Sequence, residues 1–120
     1  MKILLCDINQ SVSKLLEKIL NNVGNEVFTA QDGLKAKEII RGHVLDVFIT
    51  EIQIPFISGF ELISYAKSKD SNITTIILSQ VNADSYIKQA FKIGADDYIT
   101  KPFNPDMILT RIQKALINKT

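Results

Sequence analysis

The feature that most constrains this chain is a regular alternation, repeated five times, between a short apolar run and a longer amphipathic segment. The apolar runs lie at residues 3–6, 26–30, 47–50, 73–78 and 98–100, and the helix-like segments lie at about 11–23, 33–41, 59–68, 83–92 and 105–118. Strands that are separated by helices form right-handed βαβ units, which build a parallel sheet with helices on both faces. The sequence therefore predicts a doubly wound α/β domain, for which the strand order 2-1-3-4-5 is common.

The stretch from Val47 to Gly59 delivers one acidic side chain to the edge of that sheet. Its first four residues are apolar or β-branched, which suits a strand covered on both faces. Glu51 follows directly, and Pro55 and Gly59 interrupt the chain after it. Because ligands of open parallel sheets bind outside the carboxyl ends of the strands, we expect Glu51 to lie at the functional edge. The competing interpretation is that Glu51 only begins a solvated loop.

Polar side chains also follow three other predicted strands. Asp7 comes after strand 1, Ser79 after strand 4 and Lys101 after strand 5. In the predicted strand order, the carboxyl ends of strands 1, 3, 4 and 5 lie side by side. We therefore expect two carboxylates, a hydroxyl and an ammonium group to meet at one edge of the sheet.

Composition and charge fit one soluble domain that covers residues 1–120. The formal net charge is +1 and the basic residues are scattered, which argues against direct binding of nucleic acid by this domain. No apolar run approaches the roughly 18 residues of a membrane span, and the first run is too short for a signal peptide. The single cysteine, Cys6, excludes an internal disulfide. We expect a cytoplasmic protein.

Several stretches resemble a known family over nearly the full length of the chain. They are residues 2–7 (KILLCD), Asp32-Gly33, the acid at 51 with Pro55 and Gly59 behind it, Ser79, and residues 94–103 (GADDYITKPF). On these residues the chain resembles the receiver domain of two-component response regulators, which implies a (βα)5 flavodoxin-like fold and a signalling module rather than an enzyme. In such receivers an aspartate accepts a phosphoryl group from a kinase's phosphohistidine, and acids after strand 1 help to hold Mg²⁺. The resemblance gives Ser79 and Lys101 the role of contacting the phosphoryl oxygens.

Three positions depart from the family at its chemical site. Glu51 stands in place of the phosphoacceptor aspartate, Ile8 in place of a second acid after strand 1, and Gln80 in place of a small residue. Ile8 offers no oxygen, so Asp7 and Glu51 are the metal ligands we expect, with Mg²⁺ bound weakly if at all. The extra methylene of Glu51 disturbs in-line geometry, and Gln80 would intrude on the space of a phosphoryl group. Together the changes predict a receiver that has lost regulated phosphotransfer and requires no cofactor.

The longer Glu51 side chain suggests a specific contact in place of the phosphoryl group. It brings the carboxylate within reach of Ser79 and Lys101, where a carboxylate–ammonium contact would be a charge-assisted hydrogen bond. We hypothesise that Glu51 satisfies Lys101 permanently and fixes one state of the switch. The sequence leaves open whether that state is active-like or resting. It also leaves open whether Glu51 is natural or an engineered phosphomimetic, although Ile8 and Gln80 favour natural divergence.

The resemblance also marks a readout surface on helix 4, strand 5 and helix 5. Tyr98 matches the aromatic whose rotation reports the state of the site, although it equally fits a strand aromatic that packs at the sheet edge. Asp97 and Arg111 match an ion pair of receivers that dimerise through this surface. A second charged pair of those receivers is replaced here by Ile87 and Met107. The apolar pair would support a phosphate-independent homodimer or would pack within the chain.

Three functions remain in competition at this stage. The leading one is a degenerate receiver whose partners are proteins, either a sensor histidine kinase or an output domain or protein. Both a stand-alone chain and the N-terminal part of a longer regulator fit it. The second is a working Mg²⁺-dependent acyl-phosphate switch. The third is a flavodoxin-like binder of a small molecule, which is disfavoured because residues 7–11 (DINQS) contain no glycine-rich or Ser/Thr-rich phosphate loop.

Overall fold

The computed structural model describes residues 1–118 as five strands and five helices in strict alternation. The strands are β1 (Lys2–Cys6), β2 (Glu26–Ala30), β3 (Val47–Thr50), β4 (Thr74–Ser79) and β5 (Asp97–Thr100). The helices are α1 (Gln10–Asn21), α2 (Gly33–Gly42), α3 (Gly59–Lys69), α4 (Asp84–Lys92) and α5 (Pro105–Ile117). Among these residues, no helix is both long enough and apolar enough to cross a membrane.

All five strands pair in parallel in one sheet of order β2-β1-β3-β4-β5. At the end of β1, Cys6 lies between Ala30 of β2 and Thr50 of β3, so these three strands end at the same level. The observed order confirms the predicted doubly wound α/β architecture. The order reverses at β1, and this reversal opens a crevice at the carboxyl ends of β1 and β3.

The sheet separates two hydrophobic layers. Leu4 and Phe48 point into a layer completed by helices α2, α3 and α4. Leu5 and Ile49 point into the opposite layer, which helices α1 and α5 complete. Every residue of β3 and β4 is buried, as expected for central strands of a parallel sheet with both faces covered.

Most of the element ends follow from capping residues. Four helices have a side-chain cap that accepts a backbone N–H of the first turn: Asn9 for α1, Asp32 for α2, Ser58 for α3 and Asn104 for α5. Helix α1 ends at Asn21 rather than at the predicted Val23, because the chain turns there towards Gly24, whose φ is +90°. Helix α4 begins one residue later than predicted, because Ala83 occupies its cap position.

Three strands differ from the prediction by one residue. β1 begins at Lys2 instead of residue 3, since Lys2 pairs with Glu26 of β2. β4 runs from Thr74 to Ser79 rather than over residues 73–78, because Ser79 is still paired with Thr100 of β5. β5 begins at Asp97 instead of Tyr98, since Asp97 pairs with Ile76. Ser79 is therefore the last residue of its strand, whereas the other polar edge residues follow theirs.

Candidate functional site

The carboxyl edge of the sheet brings together the four polar residues expected there. Asp7 follows β1, Glu51 follows β3, Ser79 ends β4 and Lys101 follows β5. Asp7 and Glu51 are only 6 % and 7 % exposed. Buried carboxylates are costly unless they are paired and hydrogen-bonded, so the partners of these two acids decide what the site can do.

The Lys101 ammonium group bridges the two carboxylates. Its Nζ lies 2.6 Å from Asp7 Oδ2 and 3.0 Å from Glu51 Oε2. Burial by itself lowers the pKa of Lys101, but hydrogen bonds and attraction from both carboxylates outweigh it, and the pKa stays above the usual 10.5. The lysine is therefore a fixed positive charge between two acids at neutral pH.

The remaining carboxylate oxygens are held by backbone groups. Asp7 Oδ1 accepts a hydrogen bond from the Asn9 N–H at 2.9 Å. Glu51 Oε1 accepts one from the Ile52 N–H at 2.8 Å. All four carboxylate oxygens of the pair thus have an N–H donor, which satisfies both buried charges within the chain.

For the Mg²⁺ ion that the family resemblance implies, the site offers two carboxylates, and both already contact N–H donors. Mg²⁺ requires near-octahedral oxygen ligands, and each oxygen of Asp7 and Glu51 is already engaged with an N–H donor. Ile8 follows Asp7 with a hydrocarbon side chain that is 57 % exposed. Within residues 1–118, no group of three or more His, Cys, Asp or Glu side chains is arranged to hold a metal ion.

Gln80 lies on the solvent side of the site. It is exposed and lines a surface cavity of about 540 Å³ whose wall also includes Lys101 and Asn9. Gln80 thus lies in the same surface cavity as Lys101.

Ser79 and Tyr98 are connected through the loop that follows β4. The Val81 N–H donates to Ser79 Oγ at 3.1 Å, and the Val81 carbonyl accepts a hydrogen bond from the Tyr98 hydroxyl. Burial raises the pKa of Tyr98 above its usual 10.0, and its ring belongs to the hydrophobic layer under α4. The Lys101 N–H also donates to the Ser79 carbonyl at 2.8 Å. Backbone and side-chain bonds therefore join Lys101, Ser79, Val81 and Tyr98 in one series.

Comparison with known families covers almost all of the chain. The family described as "Response regulator receiver domain" matches residues 3–113. This chain belongs to the receiver domains of response regulators. Members of this family interact with kinases and with output domains.

Individual relatives agree with this assignment. The response regulator GtcR of Aneurinibacillus migulanus is 37 % identical over 114 residues, which are 95 % of this receiver and 47 % of GtcR. Sporulation initiation phosphotransferase F of Bacillus subtilis is 30 % identical over 115 residues, which are 96 % of this receiver and 93 % of the relative. A CheY-like receiver from Methanospirillum hungatei shares the fold, with a TM-score of 0.92 at 24 % identity, over 98 % of this chain and 94 % of that one. The receiver spans about half the length of several curated relatives, GtcR included.

The face formed by α4, β5 and α5 of this receiver contains a two-bonded ion pair. Arg111 Nε and Nη2 donate to Asp97 Oδ2 and Oδ1 at 2.7 and 2.8 Å. Ile87 is partly buried and packs against the layer under α4, whereas Met107 is 48 % exposed. Ile87 therefore packs within the chain, whereas Met107 faces solvent.

Sequence reasoning missed several groups that complete the receiver's edge, including the Ile52 N–H that donates to Glu51 Oε1. The Asn9 N–H could have been found, because an Asp side chain commonly accepts a hydrogen bond from the backbone two residues on. The expectation for Glu51 included Lys101 but not the simultaneous contact of Lys101 with Asp7. Val81 gave no signal, since any residue can supply the backbone N–H and carbonyl that it contributes.

Proposed function

We propose that this receiver transmits signals through protein contacts and without phosphorylation. The observation that carries the proposal is the Lys101 ammonium group, 2.6 Å from Asp7 and 3.0 Å from Glu51 in a buried cluster. Glu51 places its carboxylate where a phosphorylatable aspartate would stand, and Lys101 contacts that carboxylate. The output then depends on which protein partner binds, not on a kinase reaction.

The hydrogen bonds of Glu51 oppose phosphoryl transfer. A carboxylate oxygen must approach phosphorus in line, and such reactions depend mainly on positioning and on charge stabilisation. Oε2 is held by Lys101 and Oε1 by the Ile52 N–H, so attack by either oxygen would break a charge-assisted hydrogen bond in a buried site.

The charge of the cluster also supports the proposal. Two carboxylates and one ammonium group leave a formal charge of −1, and Ile8 adds no oxygen beside Asp7. A divalent cation would have to compete with Lys101 for the two carboxylates and would find no third acid beside Asp7. The residues of this receiver therefore favour the internal lysine as the cation.

We also propose a homodimer through the face of α4, β5 and α5. Met107 is one of the exposed apolar residues of α4 and α5, and the intramolecular Asp97–Arg111 ion pair links β5 to α5 beside it. Sedimentation velocity of Met107→Lys tests this, with Leu34→Lys on α2 as a control of similar exposure. A monomer with Met107→Lys and a dimer with Leu34→Lys would support the interface, whereas a monomeric parent chain would exclude it.

The proposal of phosphorylation-independent function is tested by intact-protein mass after incubation with Mg²⁺ and acetyl phosphate. We expect no added mass on the parent chain. The double variant Ile8→Asp, Glu51→Asp restores the missing acid and the shorter carboxylate, and we expect it to gain one phosphoryl group. Gln80→Ala added to the double variant measures the steric contribution of Gln80.

The control is Ile8→Asn, Glu51→Asp, which restores the acceptor without the second acid. Phosphorylation of the parent chain itself would reject the proposal in favour of an Mg²⁺-dependent acyl-phosphate switch. That alternative draws support from the relative named sporulation initiation phosphotransferase F, at 30 % identity. If neither the parent nor the variants react, the presence of Ile8, Glu51 and Gln80 does not explain why the parent chain accepts no phosphoryl group.

A further inference from the structure

A surface cavity of about 500 Å³ lies between the β3–α3 loop and helix α4. Its apolar lining consists of Ile52, Ile54, Phe60 and Tyr86, and uncharged polar residues complete it: Gln53, Ser58, Ser85 and Gln89. Small-molecule sites typically have volumes of about 300–1,000 Å³, so the cavity is large enough for a ligand.

The apolar part of the cavity is anchored in the core. Ile52 is only 4 % exposed, and Ile54 and Phe60 pack against the same hydrophobic layer. The Tyr86 ring centroid lies 6.0 Å from that of Phe60, with the ring planes at 38°. Tyr86 nevertheless stays 40 % exposed. The cavity therefore presents aliphatic side chains and two inclined aromatic rings to a ligand.

The polar part of the cavity can donate and accept hydrogen bonds. Gln53 and Gln89 each carry an amide with both functions. Ser58 Oγ accepts the Glu61 N–H at 3.3 Å, and its own hydroxyl hydrogen can still be donated. These groups can orient a ligand that contains a carbonyl, hydroxyl or ring nitrogen.

The absence of charge distinguishes this cavity from its neighbours on the described surface. Three other surface cavities include charged side chains, such as Lys69, Lys101 and Asp46. The lining between the β3–α3 loop and α4 contains no Lys, Arg, His, Asp or Glu. A charged ligand would lose hydration there without gaining an ionic partner, which selects for uncharged molecules.

We propose that this cavity binds an uncharged, amphipathic small molecule that contains an aromatic ring. Its ring contacts Ile52, Phe60 and Tyr86, and its polar atoms contact the glutamine amides. The inference is independent of phosphorylation, because it rests on the cavity alone. The Ile52 N–H holds Glu51 Oε1, so a ligand on Ile52 touches a residue bonded directly to the edge of the sheet.

N-phenyl-1-naphthylamine, an uncharged dye that fluoresces in apolar sites, tests the proposal. We expect saturable binding of one dye per chain. Tyr86→Ala should weaken binding about five- to tenfold, because it removes the aromatic wall. The matched control is Phe91→Ala, since Phe91 is also an exposed aromatic of α4 but does not line the cavity. That variant should bind the dye as the parent does.

A second variant, Gln89→Trp, fills the cavity with a larger side chain. Circular dichroism checks that this variant still folds. Loss of dye binding in Gln89→Trp with unchanged far-UV signal would support the site. Non-saturable fluorescence, or equal affinity in the parent, Tyr86→Ala and Gln89→Trp, would overturn it. So would a parent chain that binds no dye but self-associates until Tyr86 is replaced, because the surface would then be a protein interface.

Discussion

Lys101 joins strands that are not neighbours in the sheet. It follows β5, and its side chain passes the end of β4 to reach Glu51 after β3 and Asp7 after β1. One ammonium group therefore contacts both buried carboxylates and offsets one of their two negative charges. Removing one partner of a buried ionic cluster is far more costly than removing a surface pair, because uncompensated charge stays buried.

Lys101→Met should lower the free energy of unfolding by about 3–5 kcal/mol, since it leaves both acids without their cation. Urea denaturation measures this loss. The control is Lys35→Met, whose ion pair with Glu38 spans 4.0 Å between side chains that are 55 % and 65 % exposed. That control should change stability by less than about 0.5 kcal/mol. Equal effects of the two substitutions would mean that the buried cluster contributes no more than a surface pair.

The buried thiol of Cys6 makes the stability of the fold depend on pH in the alkaline range. Burial, partly opposed by a hydrogen bond with Thr50, raises the pKa of its thiol from 9.0 to about 12. The native state keeps this proton after the unfolded state has lost it. The contribution of this thiol to the free energy of unfolding is therefore fully present below about pH 9 and is lost as the pH rises towards 12.

We expect the free energy of unfolding of the parent chain to fall between about pH 9 and pH 10, with a slope approaching 1.4 kcal/mol per pH unit from this thiol. Cys6→Ala should show a smaller slope over the same interval, because it has no thiol to titrate. Parallel slopes in urea denaturation of both chains would argue against the raised pKa. The native thiol should also resist Ellman's reagent at about pH 8 and react only after denaturation.

At the scale of elements, the β3–α3 loop depends on a close approach at Gly59. The Gly59 N–H donates to the Ile52 carbonyl at 2.9 Å, and a methyl group at Gly59 would overlap the Glu51 carbonyl oxygen. The atoms that this methyl group would meet belong to the backbone of Glu51 and Ile52, so no side-chain rotation can relieve the overlap. The loop therefore holds Glu51 in place by packing as well as by hydrogen bonds.

Gly59→Ala should lower the free energy of unfolding by about 2 kcal/mol or more, as expected for overpacking against backbone. Gly42→Ala is the matched control, because a methyl group there meets nothing within 4 Å and Gly42 ends helix α2. The control should be neutral or stabilising by up to about 1 kcal/mol. Thermal unfolding of both variants gives the comparison. An unchanged unfolding temperature in Gly59→Ala would mean that the loop can shift to accommodate the methyl group at little cost.

The sequence predicts the elements well because each carries its own local signal. Buried apolar runs and helical spacing identify all five strands and helices, and their alternation predicts a parallel sheet for which the observed order is common. The errors fall at ends such as Asn21 and Ala83, where a turn or cap competes with the apolar pattern. The site is predicted less completely. The sequence brings Asp7, Glu51 and Lys101 to one edge, but side-chain directions decide that one lysine bonds both acids.

At the scale of the whole molecule, a ligand stabilises a fold only in proportion to its concentration over its dissociation constant. The contribution is RT ln(1 + [L]/Kd), so a cation that binds weakly leaves the unfolding temperature almost unchanged. Lys101 already places one positive charge against the carboxylates of Asp7 and Glu51.

We therefore expect about 10 mM Mg²⁺ to raise the unfolding temperature of the parent chain by less than about 2 °C, since a Kd near that concentration contributes only about 0.4 kcal/mol. Ile8→Asp, which adds a carboxylate beside Asp7, should gain about 4 °C or more in the same buffer. Ile8→Asn is the control, with an uncharged side chain of nearly the same shape as Asp, and NaCl of matched ionic strength corrects for screening. If the parent chain gained as much as Ile8→Asp, Lys101 would not be acting as the cation of this site, because an external ion would then compete with it successfully.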